Sequence, residues 1–467
     1  MASKLEPRSY GNMLKNVFLL SGMWGMGLGA SFVQIPSAQN VLVEKGYSSI
    51  STVPLGLIML LSSPCAILIP KMSTRYGEKK TFVTASILGI LGSLLQMTGV
   101  LMSGDTQTLS AAELTLILVG ASFQSITYAA SNNLRFAVAY FSTQEFLPKA
   151  TALVLFGGVI SSLLGPLLSN VTRYMISQAD YAGNFVQIAI LYFVFGFLAV
   201  LTDFEPTIKK HSSDEDVLKE TVNMVLTDID RGQGAIDGTS GKEDKDTTSE
   251  RTLSEILKET DLALLTFFQC LSYNIMALYM TQVQLPMIAL GYSANSRTYT
   301  ITAHMLGMFL PGLISGHIIS CIGTWTTTFF GFILFLLGGV IFLVNDSLTM
   351  FIVGMTTIGI GWNFSFVGPS AEVSKIYTPK EKDKVVGFND GIMLLSIGLF
   401  ALTGSAIYEA IGSWKYFNVM LMSCSGLSSL LAAWREVKYR LQPLIERGPP
   451  RALSETFSFD QQLLDSL

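Results

Sequence analysis

The chain has 467 residues, of which 50% are hydrophobic and only 14% are charged. Soluble globular proteins carry about 25% charged residues, so the composition excludes an ordinary water-soluble fold. The net charge of −4 gives no basic field, and we expect no nucleic-acid partner. Three histidines and four scattered cysteines suggest no metal-ligand cluster. We therefore expect neither a metal nor a cofactor, and we expect the cysteines to be buried free thiols.

Long apolar runs follow one another along the chain and predict transmembrane helices. The runs are too long and too continuous to be the short alternating strands of a membrane barrel. The twelve predicted spans cover residues 16–36, 50–70, 81–102, 113–138, 150–170, 184–203, 261–281, 298–320, 325–344, 348–371, 387–408 and 414–434. We therefore predict an all-α membrane protein whose first span is retained as a helix and is not a removable signal peptide.

Lysine and arginine are distributed unevenly between alternate loops. One set of loops carries 25 of the 30 basic residues, whereas the other set carries only Lys45, Arg173, Arg297 and Lys415. Cytoplasmic loops are the ones enriched in lysine and arginine. We therefore expect both termini and the long central loop on the cytoplasmic side.

One long hydrophilic segment divides the chain. Residues 204–260 contain fourteen acidic and eight basic residues, which predicts a linker with a disordered middle. Near its end, Leu253, Ile256 and Leu257 have helical spacing, which fits either a short helix on the inner membrane face or an extension of the seventh span. The predicted organisation is a six-helix bundle over 1–203, a cytoplasmic linker over 204–260, a second six-helix bundle over 261–434 and a cytoplasmic tail over 435–467.

Two short internal repeats support this division. The segment 70–77 after the second span ends in glycine, and its spacing recurs in 316–323 after the eighth span, 246 residues later. The segments 140–145 (YFSTQE) and 376–381 (IYTPKE) follow the fourth and tenth spans, 236 residues apart. Similar segments at similar places in each half indicate two related six-helix units.

The loop after the second span contains the segment RYGEKK, residues 75–80. With the span layout, this segment resembles the major facilitator superfamily, whose signature in this loop runs G-x-x-x-D-R-x-G-R-K. The positions that match are Arg75, Gly77 and Lys79, and those that depart are Pro70, Thr74 and Glu78. In that family the aspartate helps to latch the two halves on the cytoplasmic side, so Thr74 implies a changed latch. The block 359–390 resembles a subgroup whose cargo is mostly unassigned.

Polar residues recur on single faces of several predicted spans. In the fourth span Gln124, Tyr128 and Asn132 are spaced four residues apart, which places them on one helical face. The resemblance implies that helices one, four, seven and ten line a central cavity. The expected substrate contacts are Ser31, Gln34, Gln124, Tyr128, Asn132, Gln269, Tyr273, Asn274, Trp362 and Asn363. The same polar groups are equally suited to joining helices by hydrogen bonds.

Few ionisable residues lie within the spans, where each costs at least about 2.5 kcal/mol at the helix centre. We predict a cytoplasmic gate formed by Arg75, Arg135, Glu372 and Asp390, in which Arg135 pairs with Glu372 or Asp390. The alternatives are a permanent structural pair or an arginine that reaches the lipid headgroups. The candidate proton sites are His304 and Asp390, although His304 is also explained as a packing residue.

These observations favour a transporter that moves a small organic solute by alternating access, with protons as candidate coupling ions. The alternative is a transporter-like receptor or scaffold without transport, suggested by Thr74. The chain lacks the motifs of nucleotide hydrolysis, zinc proteases and serine hydrolases, so we predict no enzyme. We expect a functional monomer with the substrate and the bilayer as partners. The segment DQQLL, residues 460–464, resembles a sorting signal. We expect the protein to lie in the plasma membrane or in an endosomal, lysosomal or vacuolar membrane.

Overall fold

The computed structural model describes residues 7–104, 106–138, 147–204, 251–373, 375–378 and 381–447. Within these ranges the chain consists of α-helices and one short 3₁₀ helix, with no strand. Most of the predicted linker, the repeat segment 140–145 and the dileucine-like segment 460–464 lie outside the described residues.

The helices follow the predicted order. Before the linker they are α1 Pro7–Glu44, the 3₁₀ turn Ser48–Ile50, α2 Val53–Tyr76, α3 Glu78–Ser103, α4 Ala111–Ala137, α5 Leu147–Thr172 and α6 Ala182–Leu201. After it they are α7 Leu253–Glu259, α8 Leu262–Gln282, α9 Gln284–Ala289, α10 Ala294–Phe309, α11 Gly312–Ile322, α12 Thr324–Phe342, α13 Leu348–Val373, α14 Lys382–Ile411 and α15 Trp414–Arg447. The fold is therefore all-α, as the sequence predicts.

Among the described residues, ten helical segments are long and apolar enough to cross a membrane. The pair formed by α10 and α11 adds an eleventh segment if it counts as one bent span. Helix α5 contains a shorter apolar stretch, Phe156–Thr172. The count of twelve spans and the orientation of the termini stay predictions.

Three predicted spans differ from the observed helices. The predicted span 298–320 is two helices that meet at 43° around Pro311, because proline lacks an N–H donor and its ring crowds the preceding turn. The first helix, Pro7–Glu44, is longer than the predicted span at both ends. The last helix continues past residue 434 to Arg447, into the predicted tail.

Two of the four cysteines are exposed, which corrects the prediction that all are buried. Cys321 lies near the end of α11 and Cys424 lies within α15. Large apolar neighbours on α15 such as Leu427 and Leu430 are exposed as well. The outer surface of a membrane helix faces lipid, where exposure of an apolar side chain costs nothing.

The end of the linker forms a separate short helix, which excludes the predicted extension of the seventh span, while its position on the inner membrane face stays a prediction. Thr252 and Glu255 form a capping box at the start of α7, and Ile256 is completely buried. Thr260 has an extended backbone between α7 and α8, so α7 is not an extension of the next span.

The helices pack into two groups. In the N-terminal group (α1–α6), α1 packs against α5 and α6, while α3 and α2 pack against α4. In the C-terminal group (α8–α15), α13 packs against α8, α10 and α12, and α14 packs against α8. Two helix pairs make the main contacts between the groups, α2 with α14 and α5 with α10.

Glycines permit a close helix contact at corresponding places in the two groups. A Cβ atom on Gly92 would lie 2.4 Å from the carbonyl oxygen of Gly120, which joins α3 to α4. A Cβ atom on Gly361 would lie 2.9 Å from the carbonyl oxygen of Gly331, which joins α13 to α12. Small residues let helix backbones approach closely, which is the main source of helix association in lipid.

The repeat around Gly77 and Gly323 has a structural counterpart. Gly77 has φ 89° and ψ 148°, and Gly323 has φ 87° and ψ 161°. Each ends one helix and begins the next, and its N–H bonds the carbonyl oxygen of Ser73 or Ile319. This backbone conformation is essentially restricted to glycine, so the sequence repeat corresponds to one tight turn used twice.

We predict that Gly77→Ala and Gly323→Ala each destabilise the protein by about 1–3 kcal/mol, because alanine is strained at this backbone conformation. The measurement is the melting temperature of the purified protein in detergent. Gly316→Ala is the matched control, since Gly316 lies within α11 with open space around it, and this change should be neutral or stabilising. Equal melting temperatures for all three variants would contradict the assignment.

Candidate functional site

We name the two ends of the bundle outer and inner after the predicted orientation. At the outer end, the hydroxyl groups of Ser51 and Thr52 each lie 2.9 Å from the Ser405 hydroxyl at the far end of α14. Nearer the middle of α2, the Ser63 hydroxyl donates to the carbonyl oxygen of Gly391 at 2.8 Å. Polar contacts therefore join the two groups along α2 and α14 from the outer end to the middle.

Amide side chains join the groups at the outer ends of α1 and α8. Gln39 Nε2 donates to the carbonyl oxygen of Thr281 at 2.7 Å, and Gln284 Nε2 lies 3.5 Å from Gln39 Oε1. Farther round the bundle, the Thr298 hydroxyl donates to Asn170 Oδ1 at 2.8 Å between α10 and α5. The outer end of the bundle is closed in this structure by hydrogen bonds between the two groups, from side chains to side chains and to a backbone carbonyl oxygen.

A narrow crevice lies beside these contacts. It is too tight to admit a water molecule, and it is lined by Gln34, Ile35, Ala38, Gln39, Ser51, Thr52, Leu55 and Thr281. Gln34 is only 1% exposed, and neither atom of its amide group has a hydrogen-bond partner within the described residues. A buried polar group without a partner costs about 1–3 kcal/mol, so the closed outer end carries an energetic cost.

Sequence reasoning found Gln34 in this region but missed its neighbours. The signal that could have found them is a further repeat, VQIP over 33–36 and VQLP over 283–286. It places Gln34 in the outer half of α1 and Gln284 at the start of α9, just after α8, at corresponding positions of the repeat.

Aromatic rings form a continuous wall at the middle depth of the bundle. The rings of Trp362 and Phe366, one turn apart on α13, stack at 4.8 Å and 11°. Tyr273 on α8 meets both edge-on, at 5.4 and 5.5 Å. Phe309 on α10 lies 6.0 Å from Trp362 and 5.9 Å from Phe32 on α1, so the rings connect the two groups. We call these five residues the aromatic wall. Of its members, the sequence predicted only Tyr273 and Trp362.

Buried polar atoms without partners lie at the same place. The indole Nε1 of Trp362 and the Oδ1 atom of Asn363 have no hydrogen-bond partner within the described residues. Asn363 Nδ2 donates to the carbonyl oxygen of Met308 at 2.7 Å, so this amide is half satisfied. The amide of Asn274 is also half satisfied. Its Nδ2 lies 3.3 Å from the Ser396 hydroxyl, and its Oδ1 has no partner in the described part of the chain.

A fully bonded polar network lies one helical turn farther inward. Gln269 Oε1 accepts hydrogen bonds from Ser370 and Asn389, at 3.0 and 3.2 Å. Gln269 Nε2 lies 3.0 Å from Asn389 Oδ1, which also accepts from Thr266 at 2.9 Å. These bonds join α8, α13 and α14, so Gln269 is engaged in holding the C-terminal group together.

In the predicted stripe on α4, Gln124 and Tyr128 are buried and Asn132 is half-buried. Gln124 is fully buried, donates to Gln96 at 2.5 Å and accepts from the Tyr192 hydroxyl at 3.3 Å. Asn132 donates to the backbone oxygen of Tyr128 at 3.0 Å, and Tyr128 is also buried. Gln124 is therefore bonded to α3 and α6 inside the N-terminal group. On α1, the hydroxyl of Ser31 lies 3.4 Å from the carbonyl oxygen of Gly27.

The predicted gate residues are spread over the inner half. Arg75 lies with its guanidinium carbon 5.3 Å from the ring centre of Tyr76. Glu372 Oε1 accepts from Lys375 at 2.7 Å and from Thr324 at 2.8 Å, within the C-terminal group. Asp390 is buried, and Asn389 Nδ2 lies 3.2 Å from its Oδ1. The side chain of Arg135 lies outside the described residues, so its pairing stays a prediction.

His304 lies between α10 and α13. It is completely buried, and its Nδ1 lies 2.8 Å from the carbonyl oxygen of Met355. Its Nε2 has no partner among the described residues. Within the same residues, no three His, Cys, Asp or Glu side chains come together as a metal site.

An ion pair that the sequence did not predict joins the C-terminal end of the linker to the residue before α14. Arg251 binds Glu381 through Nε and Nη2 at 2.8 and 2.9 Å, and its Nη2 also donates to the carbonyl oxygen of Ile376 at 3.0 Å. The Thr378 N–H donates to Glu381 at 2.9 Å. The arginine and then the backbone N–H hold the pKa of Glu381 well below its usual value.

We predict that Glu381→Gln lowers the melting temperature by a few degrees at pH 7. Because the folded-state pKa of Glu381 is lowered, its stabilising effect is complete above the ordinary glutamate pKa of about 4.3 and is lost as the pH falls below that value. The difference in melting temperature between wild type and variant should therefore narrow as the pH falls from 7 to 3. Glu409→Gln, which changes an exposed carboxylate on α14, is the control and should show no such convergence.

The arrangement of two helix groups that meet through polar contacts, with a polar and aromatic centre, defines a polytopic membrane transporter. The sequence profile of the Major Facilitator Superfamily matches residues 17–288 and 262–463. The chain therefore belongs to the Major Facilitator Superfamily and is a membrane solute transporter.

Relatives of similar length support this assignment. The chain is 24% identical over 407 residues to the riboflavin transporter RfnT of Brucella anthropi, a match that covers 86% of this chain and 91% of that one. It is 21% identical over 428 residues to the uncharacterized MFS-type transporter YddS of Bacillus subtilis, with 90% and 89% covered.

Solved structures share the fold. A crystal structure of a D-xylose-proton symporter matches with a TM-score of 0.63 at 11% identity, covering 90% of this chain and 96% of that one. A crystal structure of a mutant of the nucleoside transporter NupG matches with a TM-score of 0.57 at 12% identity, covering 90% and 99%. At this identity the likeness concerns the fold alone.

Proposed function

We propose that this chain moves a small organic solute by alternating access, as a monomer, without catalysing a reaction. The proposed units are the bundles over 1–203 and 261–434, with the linker 204–260 and the tail 435–467 on the cytoplasmic side. In this proposal the twelve spans form two halves that rock about a central site.

The polar closure at the outer end carries the proposal. The contacts between the groups there are hydroxyl and amide hydrogen bonds, each worth a net of about 0.5–1.5 kcal/mol. Beside them Gln34 is buried without a partner among the described residues, and water would satisfy its amide if the groups separated. A permanent interface would gain nothing from such a group, whereas a reversible contact regains the lost energy on opening.

Relatives suggest which solutes to test first. Their names assign riboflavin, D-xylose with protons, and nucleosides to three different members of the fold. We take riboflavin, uridine and D-xylose as the probes for uptake into liposomes that contain the purified protein.

We predict that a disulfide between Ser51→Cys and Ser405→Cys abolishes uptake, because it fixes the outer end closed. The two hydroxyl oxygens lie 2.9 Å apart, so the cysteines need little movement to bond. Uptake should fall to background after oxidation and return after reduction. Each single variant should be unaffected by oxidation.

A second cysteine pair tests whether cross-linking itself is harmful. The hydroxyl oxygens of Ser272 on α8 and Ser365 on α13 lie 2.5 Å apart, within the C-terminal group. Cross-linking of Ser272→Cys to Ser365→Cys should leave most of the uptake, since rocking does not separate these helices. Full uptake with the outer disulfide formed would contradict the alternating-access proposal.

Proton coupling is proposed to act through Asp390. This carboxyl group is buried beside Asn389 and next to the Gln269 network, at the inner side of the aromatic wall. An ionisable group inside a membrane is costly, which favours a role for it in the transport cycle. His304 is bonded to the backbone of α13 and stays the second candidate.

We predict that Asp390→Asn loses uptake driven by an inward proton gradient but keeps exchange of labelled for unlabelled solute, because exchange needs no net proton movement. His304→Gln should keep both activities. The measurement is uptake by liposomes with and without a pH difference. Gradient-driven uptake that survives Asp390→Asn and disappears in His304→Gln would reverse the assignment.

A further inference from the structure

The aromatic wall differs from other ring clusters of the C-terminal group, such as the one around Trp414. Trp414 on α15 packs 5.4 Å from Phe342 and 6.0 Å from Phe417, entirely within that group. The aromatic wall instead reaches across to α1 through Phe32, 5.9 Å from Phe309. A ring surface shared by two groups that move apart is exposed in part of the cycle, so it is a surface that a solute can contact.

The α5 backbone approaches the same rings. A Cβ atom on Gly158 would lie 2.8 Å from the ring of Phe309, so a glycine here leaves the ring in direct contact with α5. Phe309 and Tyr273 are half-buried, whereas Trp362 and Phe366 behind them are buried. The rings of Phe309 and Tyr273 therefore form the accessible side of the aromatic wall.

The geometry of the rings indicates the shape of the ligand. The nearly parallel pair Trp362 and Phe366 meets Tyr273 at 86° and 84°, which forms a right-angled corner. Aromatic rings prefer such offset-stacked and edge-on arrangements, so a planar ring that enters when the two groups separate would make the same contacts with Tyr273 and Phe309.

The chemistry of the aromatic wall indicates the polarity of the ligand. Trp362 is 7% exposed, and its indole N–H has no acceptor within the described residues. An indole N–H only donates, so a ligand that satisfies it must present an acceptor, such as a carbonyl oxygen or a ring nitrogen. The five side chains of the wall carry no charge, which favours an uncharged ring over an ionic one.

We propose that the aromatic wall binds a planar, uncharged heteroaromatic ring that packs against Tyr273 and Phe309 and accepts a hydrogen bond from Trp362 Nε1. This inference deepens the proposed transport function and rests on it, because it names the class of solute. Aliphatic sugars and polyols lack the flat apolar face that the rings would cover.

The test separates the ring from its substituents. Lumichrome keeps the three-ring system of riboflavin without the ribityl chain, and ribitol represents the chain alone. We expect lumichrome to bind the purified protein in nanodiscs, measured by the change in its fluorescence, and ribitol in excess not to compete with it. Absence of lumichrome binding, or its displacement by ribitol, overturns the proposal.

Variants locate the binding to the aromatic wall. Tyr273→Leu should weaken lumichrome binding about tenfold, while Tyr273→Phe, which keeps the ring, should stay within about threefold. Trp362→Phe should weaken it about fivefold by removing the donor. Trp414→Phe is the matched control and should bind as wild type. Wild-type affinity in both Tyr273→Leu and Trp362→Phe overturns the site.

Uptake distinguishes this inference from the proposed function. D-xylose uptake that the outer disulfide blocks, without lumichrome binding, overturns the aromatic site and leaves transport standing. Lumichrome binding that depends on Tyr273, without uptake of any probe, supports the site and overturns transport. Melting temperatures of the variants near that of wild type show that they are folded.

Discussion

A lipid bilayer offers no hydrogen bonds, so every polar group of a spanning chain must find its partner inside the protein. Helices meet this demand for the backbone. Many serine and threonine hydroxyls meet it by bonding the carbonyl oxygen one turn back, as Ser62 and Ser131 do. Longer polar side chains need partners on other helices, and the Gln269 network shows that the protein can satisfy them fully. Under this constraint, a buried polar group without a partner needs an explanation.

Two of these groups lie where the two helix groups meet, although others, such as the indole Nε1 of Trp414, lie within the C-terminal group. Gln34 lies beside the polar contacts that close the outer end, and Trp362 lies in the ring surface that connects α1 with α13. Close backbone approach at glycines joins helices within each group, as at Gly92 and Gly361, and also joins α2 to α14 between the groups, at Gly56 and Gly398.

The architecture is repeated, and the sequence contained the repeat. The turns at Gly77 and Gly323 have nearly the same φ. Each helix pair that joins the groups, α2 with α14 and α5 with α10, takes one helix from each half. The side chains near these turns differ between the two halves. At the inner end, Arg251 binds Glu381 in the second half, and Thr74 stands where the family has an aspartate in the first.

The sequence by itself determined the helical membrane fold, most of the span positions and the related turns, because hydrophobic length and glycine punctuation are local properties. It did not reveal the bend at Pro311 or the helix that continues to Arg447. The tertiary structure decided which polar side chains hold a group together and which remain without a partner. Gln124 and Gln34 look alike in the sequence, but one is bonded to Gln96 and the other to nothing in the described residues. Hydrogen bonding depends on angles and distances between helices far apart in the chain, which no local pattern records.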